Sequence, residues 1–202
     1  ADSSTLGITD IVTLAVWVKP SSSQVNYADI LSKAESGKTG YAIEQDSTGA
    51  GNQTNSFNLI YGNSAVWLTS SETLLTAGSW QHLTYVRSGT NVATYLDGVR
   101  SANDTLGSAT VSTNTKKLYI SRWADDTGGR YFNGVLDDVR IYNRTLSAAE
   151  IGNLAKGGYA SGASGTTTYT LGNALSLSGS LAIDADEKEA RKIASDYRSL
   201  DR

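Results

Sequence analysis

Short runs of alternating apolar and polar residues, each closed by turn residues, constrain this chain more than any other feature of its sequence. Successive side chains of a strand point to opposite faces, so alternation marks a strand with one buried face. Thr13–Lys19 is the clearest case. Leu14, Val16 and Val18 take one face; Thr13, Ala15, Trp17 and Lys19 take the other. Pro20 and the serines after it end the run. Ile30–Lys33 and Tyr41–Gln45 read as short strands about a turn at Gly37–Gly40. Phe57–Tyr61 and Ala65–Thr69 read as a hairpin turning at Gly62-Asn63. Trp80–Arg87 and Val92–Leu96 pair through Ser88–Asn91, and Asp97-Gly98 turns tightly into Val99-Arg100. Lys117–Ser121 is a further strand, followed by a polar loop to Arg130. This spacing, with no long helical period, implies an all-β, two-sheet antiparallel sandwich. Trp17, Trp67 and Trp80 lie on strands and are expected in the core.

Asn133–Ile151 carries the last core strand, a turn at Asn143 and a short helix. Val135, Val139 and Ile141 have one parity, and Asp137 shares it. A carboxylate is therefore expected on a buried face, where it needs hydrogen bonds, a cation or a metal.

Composition limits the function classes. The chain has 202 residues, with 20 Gly, 1 Pro and a net charge of −3. It has no basic run, so no nucleic-acid partner is expected. No stretch reaches the length of a membrane span. With no Cys, disulfides and thiolate metal sites are excluded. With no Met, not even an initiator, the chain is expected to be processed, excised or part of something longer. The Ser/Thr/Gly/Asn-rich surface suggests a secreted or cell-surface protein of bacterial type.

The composition changes after the short helix. Residues 1–156 read as the sandwich and 157–168 as a Gly/Ser/Thr linker. Residues 169–184 read as a returning strand, and 185–202 as an amphipathic helix with a narrow apolar stripe.

Four motifs then become recognisable in order. They are Ala15-Val16-Trp17-Val18-Lys19-Pro20, Ser79-Trp80-Gln81-His82-Leu83-Thr84-Tyr85-Val86, Thr94-Tyr95-Leu96-Asp97-Gly98 and the Asn133–Ile151 stretch. Together they resemble the laminin-G-like domains of the concanavalin A-like lectin/glucanase superfamily. The resemblance implies a jelly roll, with the short helix after its last core strand. It does not imply one activity, because the fold hosts lectins, adhesion modules, hydrolases and structural domains. Members usually open with a strand similar to one that this chain carries in its tail, Asn173-Ala174-Leu175-Ser176-Leu177-Ser178-Gly179. The order looks circularly permuted. Asn173, Ala174, Leu175, Leu177, Leu181 and Ile183 are the residues expected to complete a sandwich. That sandwich is this chain's own or that of a like subunit; a third reading is the start of a second, truncated domain.

The resemblance also implies site residues. Asp137 matches the carboxylate that binds a structural Ca²⁺ in related glucanases, so one structural Ca²⁺ is an expectation. The alternative is that Asp137 accepts backbone or Arg hydrogen bonds. The glucanase carboxylate motif is incomplete at Glu44-Gln45-Asp46, so no catalytic residue is expected. His82 reads as a structural strand residue. A ligand site is sought at Trp123, Asp125, Asp126 and Tyr131, where an aromatic opens a polar loop, against a default of half-buried packing for Trp123 and a solvated acidic loop for Asp125 and Asp126. The leading expectation is a non-enzymatic adhesion or structural module, self-assembling through its tail or binding a surface protein. The alternative is a lectin-like module binding a glycan, with a glycoside hydrolase more remote.

Overall fold

The computed structural model describes residues 4–45, 55–124 and 129–158. The tail strand and tail helix expected at 169–202, and the loop acids Asp125 and Asp126, lie outside the described residues.

The described chain forms two antiparallel sheets. Its strands are β1 (Ile11–Pro20), β2 (Asp29–Ser32), β3 (Thr39–Gln45), β4 (Ser56–Asn63), β5 (Trp67–Thr69), β6 (Thr73–Leu74), β7 (Gln81–Ser88), β8 (Asn91–Leu96), β9 (Val99–Thr105), β10 (Tyr119–Ile120) and β11 (Gly134–Tyr142). An α-helix, α1 (Ala148–Leu154), follows. The first sheet runs β11-β1-β7-β8-β9. The second runs β10-β2-β3-β4-β5, with β6 also on β4. This is the expected jelly-roll sandwich. No helix among the described residues is long and apolar enough to cross a membrane.

The core lies between the sheets and follows the alternation. Leu14, Val16 and Val18 of β1 meet Ile43, Leu59, Tyr61, Leu83 and Tyr85, all nearly or fully inaccessible. Each such side chain contributes about 1.5–3 kcal/mol on burial. The segment 106–118 makes no ladder and is tied down by buried side chains instead. Lys33 Nζ donates to the carbonyls of Asn114 (3.3 Å) and Lys116 (2.7 Å). Arg87 donates to the carbonyls of Thr9 and Ala109 and lies over the Tyr61 ring.

Both sheets also bury part of their outward faces. α1 lies against the first sheet, where Ile151, Leu154 and Leu146 cover Ala15, Val86 and Tyr95. A capping box starts this helix: Ser147 Oγ accepts from the Glu150 amide (3.3 Å), and Glu150 Oε2 accepts from the Ser147 amide (2.8 Å). Over the second sheet, Trp123 packs on Ala34, Ala42 and Ile60.

Several details differ from the expectation. The hairpin turns later than expected: Gly62 stays in β4, and Asn63 Oδ1 accepts from the amides of Ala65 and Val66. Gly62 is required where it is, because a Cβ there would stand 2.0 Å from the Lys38 carbonyl oxygen. Trp80, expected in the core, precedes β7 and is 44% exposed. Trp17 and Trp67 are only partly buried, on outward faces.

The largest correction concerns Asp137. Ala15 pairs with Arg140 and Trp17 with Asp137, so Val16 faces two residues, Asp138 and Val139. This is a β-bulge, with Asp138 in the left-handed region at φ 48°. The extra residue inverts the parity. Val139 and Ile141 pack on the core, whereas Asp137 pairs with Trp17 on the outward face. Val135, expected with the core set, is 53% exposed. Arg140 Nε holds the bulge through Asp138 Oδ1 at 2.6 Å.

Candidate functional site

The second sheet presents a cleft on its outward face, and the strand register explains it. Odd residues of β3 and β4 point into the core, so even residues point outward. Cross-strand pairing sets three outward rows. Gly40, Gly62 and Trp67 form one; Ser32, Ala42, Ile60 and Thr69 form the next. The third is Asp29, Glu44 and Asn58. Trp123 covers the small residues Ala34 and Ala42, and the face beside it stays open over Glu44, Asn58, Ile60 and Thr69. The resulting cleft is about 640 Å³, within the range of small-ligand sites. Tyr27, Glu44, Asn58, Trp67 and Glu72 are among its lining residues, with hydroxyls from Thr69 and Ser70.

The walls are aromatic. Trp67 meets Trp123 edge-on, with ring centroids 5.8 Å apart. The Arg130 guanidinium lies over Trp123 (4.7 Å) and over Tyr27 (4.9 Å). Tyr27 takes a left-handed φ of 59° and is 40% exposed; its amide donates to Gln45 Oε1 at 3.0 Å. Ser32 Oγ accepts from the amide of Ala124 at 3.2 Å, which fixes the chain beside Trp123.

Charge converges on one end. Arg130 Nη1 donates to Glu44 Oε2 at 3.0 Å. Asp29 pairs with Glu44 in register, is fully buried, and has no hydrogen-bond partner on either carboxylate oxygen. Burial pushes its pKa up to about 9; the nearby Glu44 adds to the rise and Arg130 opposes it. Asn58 Oδ1 is a second buried acceptor without a partner. Glu72 Oε2 accepts from Ser56 Oγ at 2.7 Å.

The expected site residues distribute unevenly about this cleft. Trp123 is 8% exposed, so it backs the wall rather than offering an open platform. Tyr131 is 52% exposed but does not line the cleft. Glu44 lines it, yet its ring of neighbours is one that spacing along the chain could not show. Asp29, Asn58, Trp67, Tyr27 and Arg130 went unnoticed as site residues. The available signal was polar Glu44 and Asn58 at outward positions of β3 and β4, alternating with inward Tyr41, Ile43, Leu59 and Tyr61.

The other candidates lie on the first sheet. His82 is buried, with its ring edge-on to Trp17 at 5.3 Å. Its pKa falls to about 4, from burial and the Arg140 charge, with Asp97 opposing. This is a packed strand residue. Asp137 Oδ1 accepts from the Asp138 amide at 2.8 Å. Ca²⁺ takes six to eight oxygens. Among the described residues, no group of three or more His, Cys, Asp or Glu side chains could hold a metal ion.

The comparisons agree with this architecture. A family model described as the concanavalin A-like lectin/glucanases superfamily matches residues 1–152. No curated protein matches the sequence at a significant level. Among solved structures, domain 4 of an extracellular arabinanase from Geobacillus stearothermophilus, in complex with arabinotriose, is similar at 22% identity and a TM-score of 0.54. The match covers 73% of this chain and 67% of that one. A carbohydrate-binding protein described as putative, from Bacteroides ovatus, is similar at 15% identity and a TM-score of 0.58, over 75% of this chain and 42% of that one. A pentraxin from Limulus polyphemus is similar at 20% identity and a TM-score of 0.51, over 73% of this chain and 70% of that one. At these identities the likeness is one of fold.

Proposed function

This chain belongs to the concanavalin A-like lectin/glucanases superfamily, and on that premise we propose that it is a non-enzymatic, secreted or surface module that binds a glycan in the cleft over β2–β5. The carrying observation is the cleft's make-up. Trp67 and Tyr27 offer apolar ring surface, while Glu44, Asn58, Thr69 and Ser70 offer hydrogen-bonding groups between them. Sugars present the matching pattern, with C–H faces and hydroxyl edges. The arabinanase domain in complex with arabinotriose and the Bacteroides protein described as carbohydrate-binding, which share this fold, support the same reading.

A binding role also suits the carboxylates. A two-carboxylate hydrolysis places both acids against the scissile bond. Asp29 is fully buried, and Glu44 is held by Arg130. The test is Trp67→Ala, measured by calorimetry against a panel of plant and bacterial oligosaccharides. Loss of the ring's contact area is expected to weaken binding roughly tenfold or more. Wild-type affinity in a folded variant would move the site elsewhere, and released sugar from the wild-type protein would overturn the non-enzymatic reading.

A further inference from the structure

Resting on that reading, we propose that the cleft selects uncharged, hydroxyl-rich oligosaccharides and rejects uronic-acid glycans. The balance of charge comes first. Among the described residues, the lining includes two carboxylates, Glu44 and Glu72, and no Lys, Arg or His. The nearby cation, Arg130, is outside the lining and already donates to Glu44 at 3.0 Å, with its planar face against Tyr27 and Trp123. A ligand carboxylate entering here meets like charge where water is partly excluded. Like charges near a protein surface repel more strongly than in bulk water.

The carboxylates add a second preference. Glu44 and Glu72 only accept hydrogen bonds; a sugar hydroxyl donates, and a ligand carboxylate does not.

The experiment uses the full chain and two probe sets of equal length, neutral xylo-, cello- and arabino-oligosaccharides and acidic oligogalacturonates. Calorimetry is run at low and at physiological salt. The expected result is that a neutral probe binds and the acidic set binds at least tenfold more weakly. The gap should narrow with salt and narrow again in Glu72→Gln. Acidic probes binding as tightly as neutral ones would overturn the selectivity while leaving glycan binding intact. Binding by neither set would overturn the glycan reading itself. A gap that stays the same in Glu72→Gln and across the salt series would overturn the charge argument.

Discussion

Replacing Asp29 by Asn should stabilise this protein at neutral pH, although it touches a fully buried side chain. Asp29 is inaccessible, lacks any hydrogen-bond partner on its carboxylate oxygens, and sits beside Glu44. Its pKa rises from 3.8 to about 9 in the fold. The folded state therefore binds more protons than the unfolded state between those two values. The stability this group contributes is fully present below pH 3.8 and is lost as pH rises through about 9. Each tenfold change in protonation is worth about 1.4 kcal/mol, and pH 7 lies about three such factors above 3.8. Taking up that proton at pH 7 therefore costs on the order of 4 kcal/mol. Asn needs no proton. Its amide introduces buried donors that cost about 1–3 kcal/mol if unpaired, and that cost does not depend on pH. The diagnostic quantity is therefore the difference between pH 4 and pH 7 in the variant's effect, about 4 kcal/mol in favour of Asn at pH 7. His82 titrates in the same window, with its pKa held down to about 4. It is present in both proteins and cancels. Urea denaturation of wild type and Asp29→Asn at the two pH values measures the quantity directly. A ΔΔG that is the same at both would refute the reasoning, because the carboxyl would then have to fold ionised.

Three further outcomes are expected. Gly40→Ala should destabilise by at least about 2 kcal/mol in denaturant melts, because Gly40 has φ 81° and a Cβ would stand 1.9 Å from the Lys33 carbonyl oxygen. We propose that residues 169–184 add a strand to this or a neighbouring sandwich. Ending the chain after Gly158 should then lower the melting temperature of a monomer or abolish oligomers seen by light scattering, and an unchanged monomer would refute both. A structural Ca²⁺ on Asp137, with backbone carbonyls completing its shell, stays a proposal. It predicts a melting temperature raised by millimolar Ca²⁺ and not in Asp137→Asn, and identical curves in Ca²⁺ and EDTA would refute it.

Much of the fold was legible because alternation and turn chemistry are local. Leu14, Val16 and Val18 share a face in any strand, whatever it pairs with. Asp97-Gly98 takes two left-handed conformations, φ 51° and 79°, which that pair favours in a hairpin turn. Asp137 shows the limit. Its parity with Val139 and Ile141 is correct for a regular strand and fails because one residue bulges at Asp138. The bulge depends on the pairing with β1 and on Arg140, neither of which is local. Trp123 shows a second limit. Its polar loop left packing and exposure both open, and the outward face beneath it, with Ala42 and Ala34 small enough to take the ring, decided for packing.

By itself the sequence determined which side chains share a face and where the chain can turn, since both follow from backbone geometry over two to four residues. Only the tertiary structure decided which outward rows line up across strands, which of them a second layer covers, and which charges are stranded there. Asp29, Glu44 and Asn58 lie far apart along the chain and become one row through the register of three strands. Register is set by the pairing of whole strands and the packing of their inward faces, so the cleft existed in no single stretch of sequence.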